Sequence, residues 1–159
     1  HFYCRLIDDI FIVWTHGEKA LLQFHSNINK IDPNIQYELN YSQTELTFLD
    51  TIVKIDSNSR LYTINYIKPT NKQMYLHVRS NHPPHTLKSL PYSQAIRLRR
   101  NTTKDEDLQI QINKLNKTFE ARGYKLKNIE KSILKISNKT QHALLALGLD
   151  VPGNIPVLF

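Results

Sequence analysis

Two adjacent carboxylates, Asp8 and Asp9, stand between two short runs of strand-forming residues. His1-Phe2-Tyr3-Cys4-Arg5 precedes Leu6-Ile7-Asp8-Asp9, and Ile10-Phe11-Ile12-Val13-Trp14-Thr15 follows. The pattern predicts a strand-turn-strand unit over residues 2 to 15 with the acids at its turn. Neighbouring aspartates repel, and a hard divalent cation with oxygen ligands is the simplest counter-charge. The chemistry this suggests is two-metal phosphoryl transfer, in which ions roughly 3.5 to 4 Å apart activate the attacking oxygen and stabilise the leaving one. Mg2+ is the simplest such ion, and a third carboxylate from another strand is normally needed to hold both ions. The plainer reading of Asp-Asp is a solvated turn dipeptide.

The elements that would hold this pair follow from periodicity. Leu21, Leu22, Phe24 and Ile28 recur at roughly helical spacing and predict a helix of about 14 residues, ended by Asp32-Pro33-Asn34. Strands are expected at about 35 to 42, 46 to 55 and 60 to 67, the last two joined by Asp56-Ser57-Asn58-Ser59. After Lys68-Pro69-Thr70-Asn71 the pattern turns helical: a short helix over Thr86 to Leu90, a second opened by Pro91, a third from Asp105 to Ala121 closed by Gly123, and one or two more within Leu126 to Leu147. The fold class expected is α+β, with antiparallel strands and a helix followed by a small all-helical region.

Charge divides along the same line. Residues 1 to 60 hold five Lys or Arg against eight Asp or Glu, whereas residues 61 to 159 hold sixteen against six. A basic C-terminal half suits a polyanion such as nucleic acid. Its densest element is Arg97-Leu98-Arg99-Arg100, reinforced by Arg79, Lys88 and Lys104, and phosphate contacts from these six would give salt-sensitive affinity. A second series, Lys125, Lys127, Lys131 and Lys135, reads as a solvated helix face.

Other chemistries find little support. The single Cys4 excludes an internal disulfide and a multi-thiolate zinc site. His82-Pro83-Pro84-His85, with His77 nearby, reads as a rigid turn before a helix rather than a metal site. Tyr75, Tyr92 and Tyr124 could stack on bases, though such residues more often fill a small core. There is no glycine-rich phosphate loop, no apolar run of membrane-spanning length and no charged-then-apolar leader, so an intracellular, in particular nuclear, location is expected.

The segment Arg5-Leu6-Ile7-Asp8-Asp9-Ile10-Phe11-Ile12-Val13-Trp14 resembles the palm active-site hairpin of reverse transcriptases, nearest to the Penelope-like retroelements. The resemblance runs on through Thr47-Phe48-Leu49-Asp50-Thr51, Lys68-Pro69-Thr70, Tyr75-Leu76-His77, His82-Pro83-Pro84-His85-Thr86, Pro91-Tyr92-Ser93-Gln94-Ala95 and Arg122-Gly123-Tyr124. Leu6 replaces the family's aromatic residue before Ile-Asp-Asp, which keeps the strand packing and loses the aromatic surface.

The resemblance implies a partial polymerase palm over residues 1–67 and a basic, helical thumb over 68–147, a stretch also described in related proteins as helix-turn-helix-like. A truncated C-terminal strand would follow over 148–159. In the intact polymerase Asp8 would be the main metal ligand and Asp9 its partner, holding Mg2+ or Mn2+, and Phe48 and Leu49 would lie where such enzymes contact the primer. Expected partners are an RNA template and a DNA primer and not a membrane, with fingers upstream and an endonuclease domain downstream. On this reading the chain is a fragment of an RNA-directed DNA polymerase from a retrotransposon, inactive alone. The alternative is a nucleic-acid-binding helical module centred on residues 68 to 138, with the palm part a relic.

Overall fold

The computed structural model describes residues 2–137 and 139–146. Two small antiparallel sheets are followed by several helices, the mixed α+β class expected. The strand proposed for 148–159 lies outside the described residues.

The first sheet is the hairpin β1 (Phe2–Leu6) and β2 (Asp9–Val13), with Phe2 opposite Val13 and Leu6 opposite Asp9. Its two-residue turn, Ile7-Asp8, holds Ile7 at φ 56°, a left-handed backbone that a β-branched side chain adopts only under strain. Helix α1 (Glu18–Ile28) follows, three residues shorter than the periodicity suggests.

No strand forms over 35 to 42. The backbone of Tyr37 is taken by α1 instead: Asn29 donates its side-chain amide to the Tyr37 carbonyl at 3.0 Å and accepts from the Tyr37 N–H at 2.7 Å. The His25 ring also meets that carbonyl at 2.6 Å. Side chains at the end of α1 thus satisfy the Tyr37 backbone groups that a ladder partner would otherwise take.

The second sheet has the order β3 (Glu45–Phe48), β4 (Thr51–Ile55), β5 (Leu61–Asn65). The single strand expected over 46 to 55 is broken in two at Leu49-Asp50, where Leu49 sits at φ 52°. Three hydrogen bonds to its backbone hold that turn: Thr51 Oγ1 donates to the Phe48 carbonyl at 2.9 Å, and the Tyr66 N–H and Asn101 side chain both donate to the Asp50 carbonyl.

Among the described residues four helices follow: α2 (Pro84–Asn101), α3 (Asp105–Ala121), α4 (Leu126–Ser137) and α5 (Gln141–Ala146). The break expected at Pro91 is absent. Pro91 lies inside α2 and is buried, packed on the side that carries Ala95 and Leu98. Proline removes one helical N–H, and the helix runs through it nonetheless.

Among the described residues the buried apolar core cluster belongs to the helices: Ala95 and Leu98 of α2, Leu108, Ile112, Leu115 and Phe119 of α3, Ile129 and Ile136 of α4, and Leu144 of α5. The sheets reach this core through a polar seam along β5. Thr103 donates its N–H to the Thr63 carbonyl at 2.9 Å, Thr63 returns its N–H to Thr103 Oγ1 at 3.0 Å, and Asn101 donates to Asn65 Oδ1 at 2.9 Å. The α2–α3 connection thereby lies along β5 much as another strand would.

Candidate nucleic-acid interface

Helix α3 ends in a tight, fully bonded turn. The Tyr124 N–H donates to the Phe119 carbonyl at 3.1 Å and the Gly123 N–H to the Glu120 carbonyl at 2.9 Å. This paired pattern, with a left-handed residue between, satisfies the last carbonyls of a helix. Gly123 supplies the left-handed residue at φ 83°, and a Cβ there would stand 2.9 Å from Val78 Cγ1. The rings of Phe119 and Tyr124 meet edge to face at 5.0 Å, while Tyr75 stacks on the other side of Phe119 at 4.7 Å.

The segment before α2 is strapped to the same turn. Arg122 donates Nε to the Tyr75 carbonyl at 2.7 Å, and the Val78 N–H donates to the Arg122 carbonyl at 3.1 Å. Residues 74 to 79 therefore belong structurally with the helices, and the turn between α3 and α4 is fixed from both sides.

Beyond that turn, α4 is strongly two-faced. Ile129 and Ile136 are buried and Ile133 packs against them, a one-sided apolar stripe that seats the helix on α2 and α3. Lys127, Lys131 and Lys135, at i, i+4 and i+8, lie opposite this stripe and are exposed, with Lys125 exposed just before the helix. Among the described residues no carboxylate pairs with any of these four lysines. Two helices joined by a four-residue, glycine-containing turn, the second carrying exposed lysines, follow one another in the order of a helix-turn-helix.

Residues 74–134 match the animal helix-turn-helix domain. The match begins at the strap and spans α2, α3 and most of α4. No curated protein and no solved structure matches the chain.

The match overturns the reverse-transcriptase reading, since the stretch assigned to a polymerase thumb is what the helix-turn-helix model recognises. The retrotransposon and polymerase expectations fall with it. The acid pair agrees with that correction. Asp8 sits in the hairpin turn, Asp9 begins β2, and both are exposed. Among the described residues no three His, Cys, Asp or Glu side chains come together as a metal-holding group. Phe48 and Leu49 fall on the β3–β4 turn. The Phe48 ring packs 5.3 Å from that of Phe11, and Leu49 occupies the left-handed corner, so conformation and packing account for both.

The six basic residues expected to meet phosphate divide by geometry. Arg99 is turned inward, only 8% exposed, with NH1 2.6 Å from Asp105 Oδ1 and Nε donated to the Lys139 carbonyl at 2.9 Å. Arg97 is exposed and pairs with Asp50 at 2.7 Å. Lys104 lies over the Tyr62 ring, 3.6 Å from its centroid. Arg79, Lys88 and Arg100 are exposed at three separate places, before, early in and late in α2. Of the dense sequence cluster, packing thus takes Arg99 inward and leaves Arg97 and Arg100 exposed on α2.

Lys127, Lys131 and Lys135 stand exposed on α4, out of phase with Ile129, Ile133 and Ile136, as the solvated helix face expected of them. The tyrosines resolve the other way, with Tyr75, Tyr92 and Tyr124 packed against the core. Burial pushes the phenols of Tyr75 and Tyr124 above their usual range.

Proposed function

We propose that this chain binds nucleic acid through the unit formed by α2, α3 and α4, with α4 presented to duplex DNA. The observation that carries the reading is the exposed series Lys127, Lys131 and Lys135 on the helix that follows the Gly123 turn, within the segment that matches the animal helix-turn-helix domain. Each lysine that neutralises a phosphate releases a counterion, so affinity falls as salt rises. Arg79, Lys88, Arg100 and Lys104 are further candidates for phosphate contact, and Arg97 joins them whenever it leaves Asp50. Among the described residues no helix is long and apolar enough to cross a membrane.

Titration of a labelled DNA duplex with the chain over a series of salt concentrations tests this. Binding should weaken steeply with salt, and replacing the three lysines by glutamine should flatten the dependence by about 0.9 per lost phosphate contact. Salt-independent binding, or an unchanged slope in the triple variant, would overturn the role given to α4.

A further inference from the structure

A cleft of ≈ 730 Å³ opens between the β1–β2 hairpin, α1 and the segment leading into β3. Its walls include Phe11, Val13, Trp14, Leu21, Leu46 and Phe48, each half-buried and none fully covered. Apolar surface left open in a concave site of this size is what ligand sites present, since their volumes run from about 300 to 1,000 Å³.

The charge around these walls is one-sided. Asp8, Asp9, Glu18, Glu38 and Glu45 line the cleft against a single Arg5. Two of the acids are engaged, Glu45 by Lys54 at 2.6 Å and Glu18 by the Tyr41 hydroxyl at 2.6 Å. Asp8, Asp9 and Glu38 are exposed and have no ion pair or hydrogen bond from their side chains among the described residues. Arg5 is turned aside, its Nε donated to the Ile7 carbonyl at 2.7 Å.

We propose that this cleft docks a basic peptide segment of a partner protein, one in which lysine or arginine alternates with large apolar residues. The apolar side chains would fill the floor between Trp14 and Phe48, and the cations would meet Asp8, Asp9 and Glu38 at the rim. A polyanion is repelled by the same acids, which separates this face from the lysine face of α4 and makes the inference independent of nucleic-acid binding. Complementary charge at the rim sets partner choice, and the desolvated apolar floor supplies most of the affinity.

The test titrates the full chain with short labelled peptides: alternating Lys-Leu, alternating Lys-Ser and alternating Glu-Leu. Trp14, the only tryptophan, lies in the cleft and reports occupancy by its emission. The Lys-Leu peptide should shift Trp14 emission and bind at least about tenfold more tightly than either control, a difference of about 1.4 kcal/mol. The variant D8N/D9N/E38Q changes only exposed side chains and should weaken Lys-Leu binding about tenfold while leaving duplex binding unchanged. Equal affinity for all three peptides, binding that survives in the variant, or an unmoved Trp14 would overturn the proposal. So would concentration-dependent self-association that the variant abolishes, because the occupant would then be a second copy.

Discussion

The guanidinium of Arg99 meets the carboxylate of Asp105 at 2.6 Å, across the bend that joins α2 to α3. The same guanidinium bonds the Lys139 carbonyl just before α5, so one side chain ties three helices at the point where the chain turns. Hydrogen bonds to a charged group contribute about 1.5 to 3 kcal/mol each, and Arg99 is shielded from water. Arg99→Ala should therefore lower unfolding stability by about 2 to 4 kcal/mol. Chemical denaturation reads this directly, and an unchanged midpoint would show the tie to be idle.

Arg100, one residue on, is exposed and should behave oppositely. Arg100→Ala is expected to leave the denaturation midpoint within about 0.5 kcal/mol of the parent and to weaken duplex binding alike across sequences. A sequence-dependent loss would mean base contact instead of phosphate contact.

Asp50 occupies Arg97 in the free protein. Asp50→Asn releases that guanidinium while keeping the backbone carbonyl that receives Tyr66 and Asn101. The salt dependence of duplex binding should then steepen by about one unit. Combining it with Arg97→Ala should cancel the gain, and persistence of the gain in the double variant would place its origin elsewhere.

Gly123→Ala should destabilise the helical unit. The left-handed backbone alone costs an alanine about 1 to 2 kcal/mol, and the new methyl would stand 2.9 Å from Val78 Cγ1. Because the turn sets how α4 leaves α3, duplex affinity should fall together with the thermal midpoint. Loss of neither would mean that the turn relaxes freely.

Stability should decline in alkali through Tyr75 and Tyr124. Burial raises both phenol pKa values, so the folded chain holds protons that the unfolded chain has begun to release. The contribution is complete below the unfolded value of about 10 and is lost as pH climbs through the higher folded values. Urea midpoints measured on either side of that value should drop at the alkaline end. Tyr75→Phe should reduce the drop, and a flat profile would exclude the effect.

How much was legible from sequence depends on how local the cause is. The β1–β2 hairpin, the run of α3 from Asp105 to Ala121 and its closure at Gly123 were readable because alternation, helical spacing and glycine chemistry act on neighbouring residues. The break at Leu49-Asp50 was not, since leucine advertises no turn and the corner is held by Tyr66 and Asn101 from far along the chain. The strand expected around Tyr37 failed for a similar reason, because side chains of α1 took its backbone groups.

By itself the sequence determined the α+β class, the acidic-then-basic division and the helical register of α3 and α4, all of which follow from residue type and spacing. Only the tertiary structure decided which arginines of α2 face outward. Packing turned Arg99 into the fold and left Arg97 and Arg100 exposed, whereas the open side of α4 with Lys127, Lys131 and Lys135 follows from helical spacing already. A charge counts for binding only where burial leaves it accessible, and burial is settled by contacts between residues far apart in the chain.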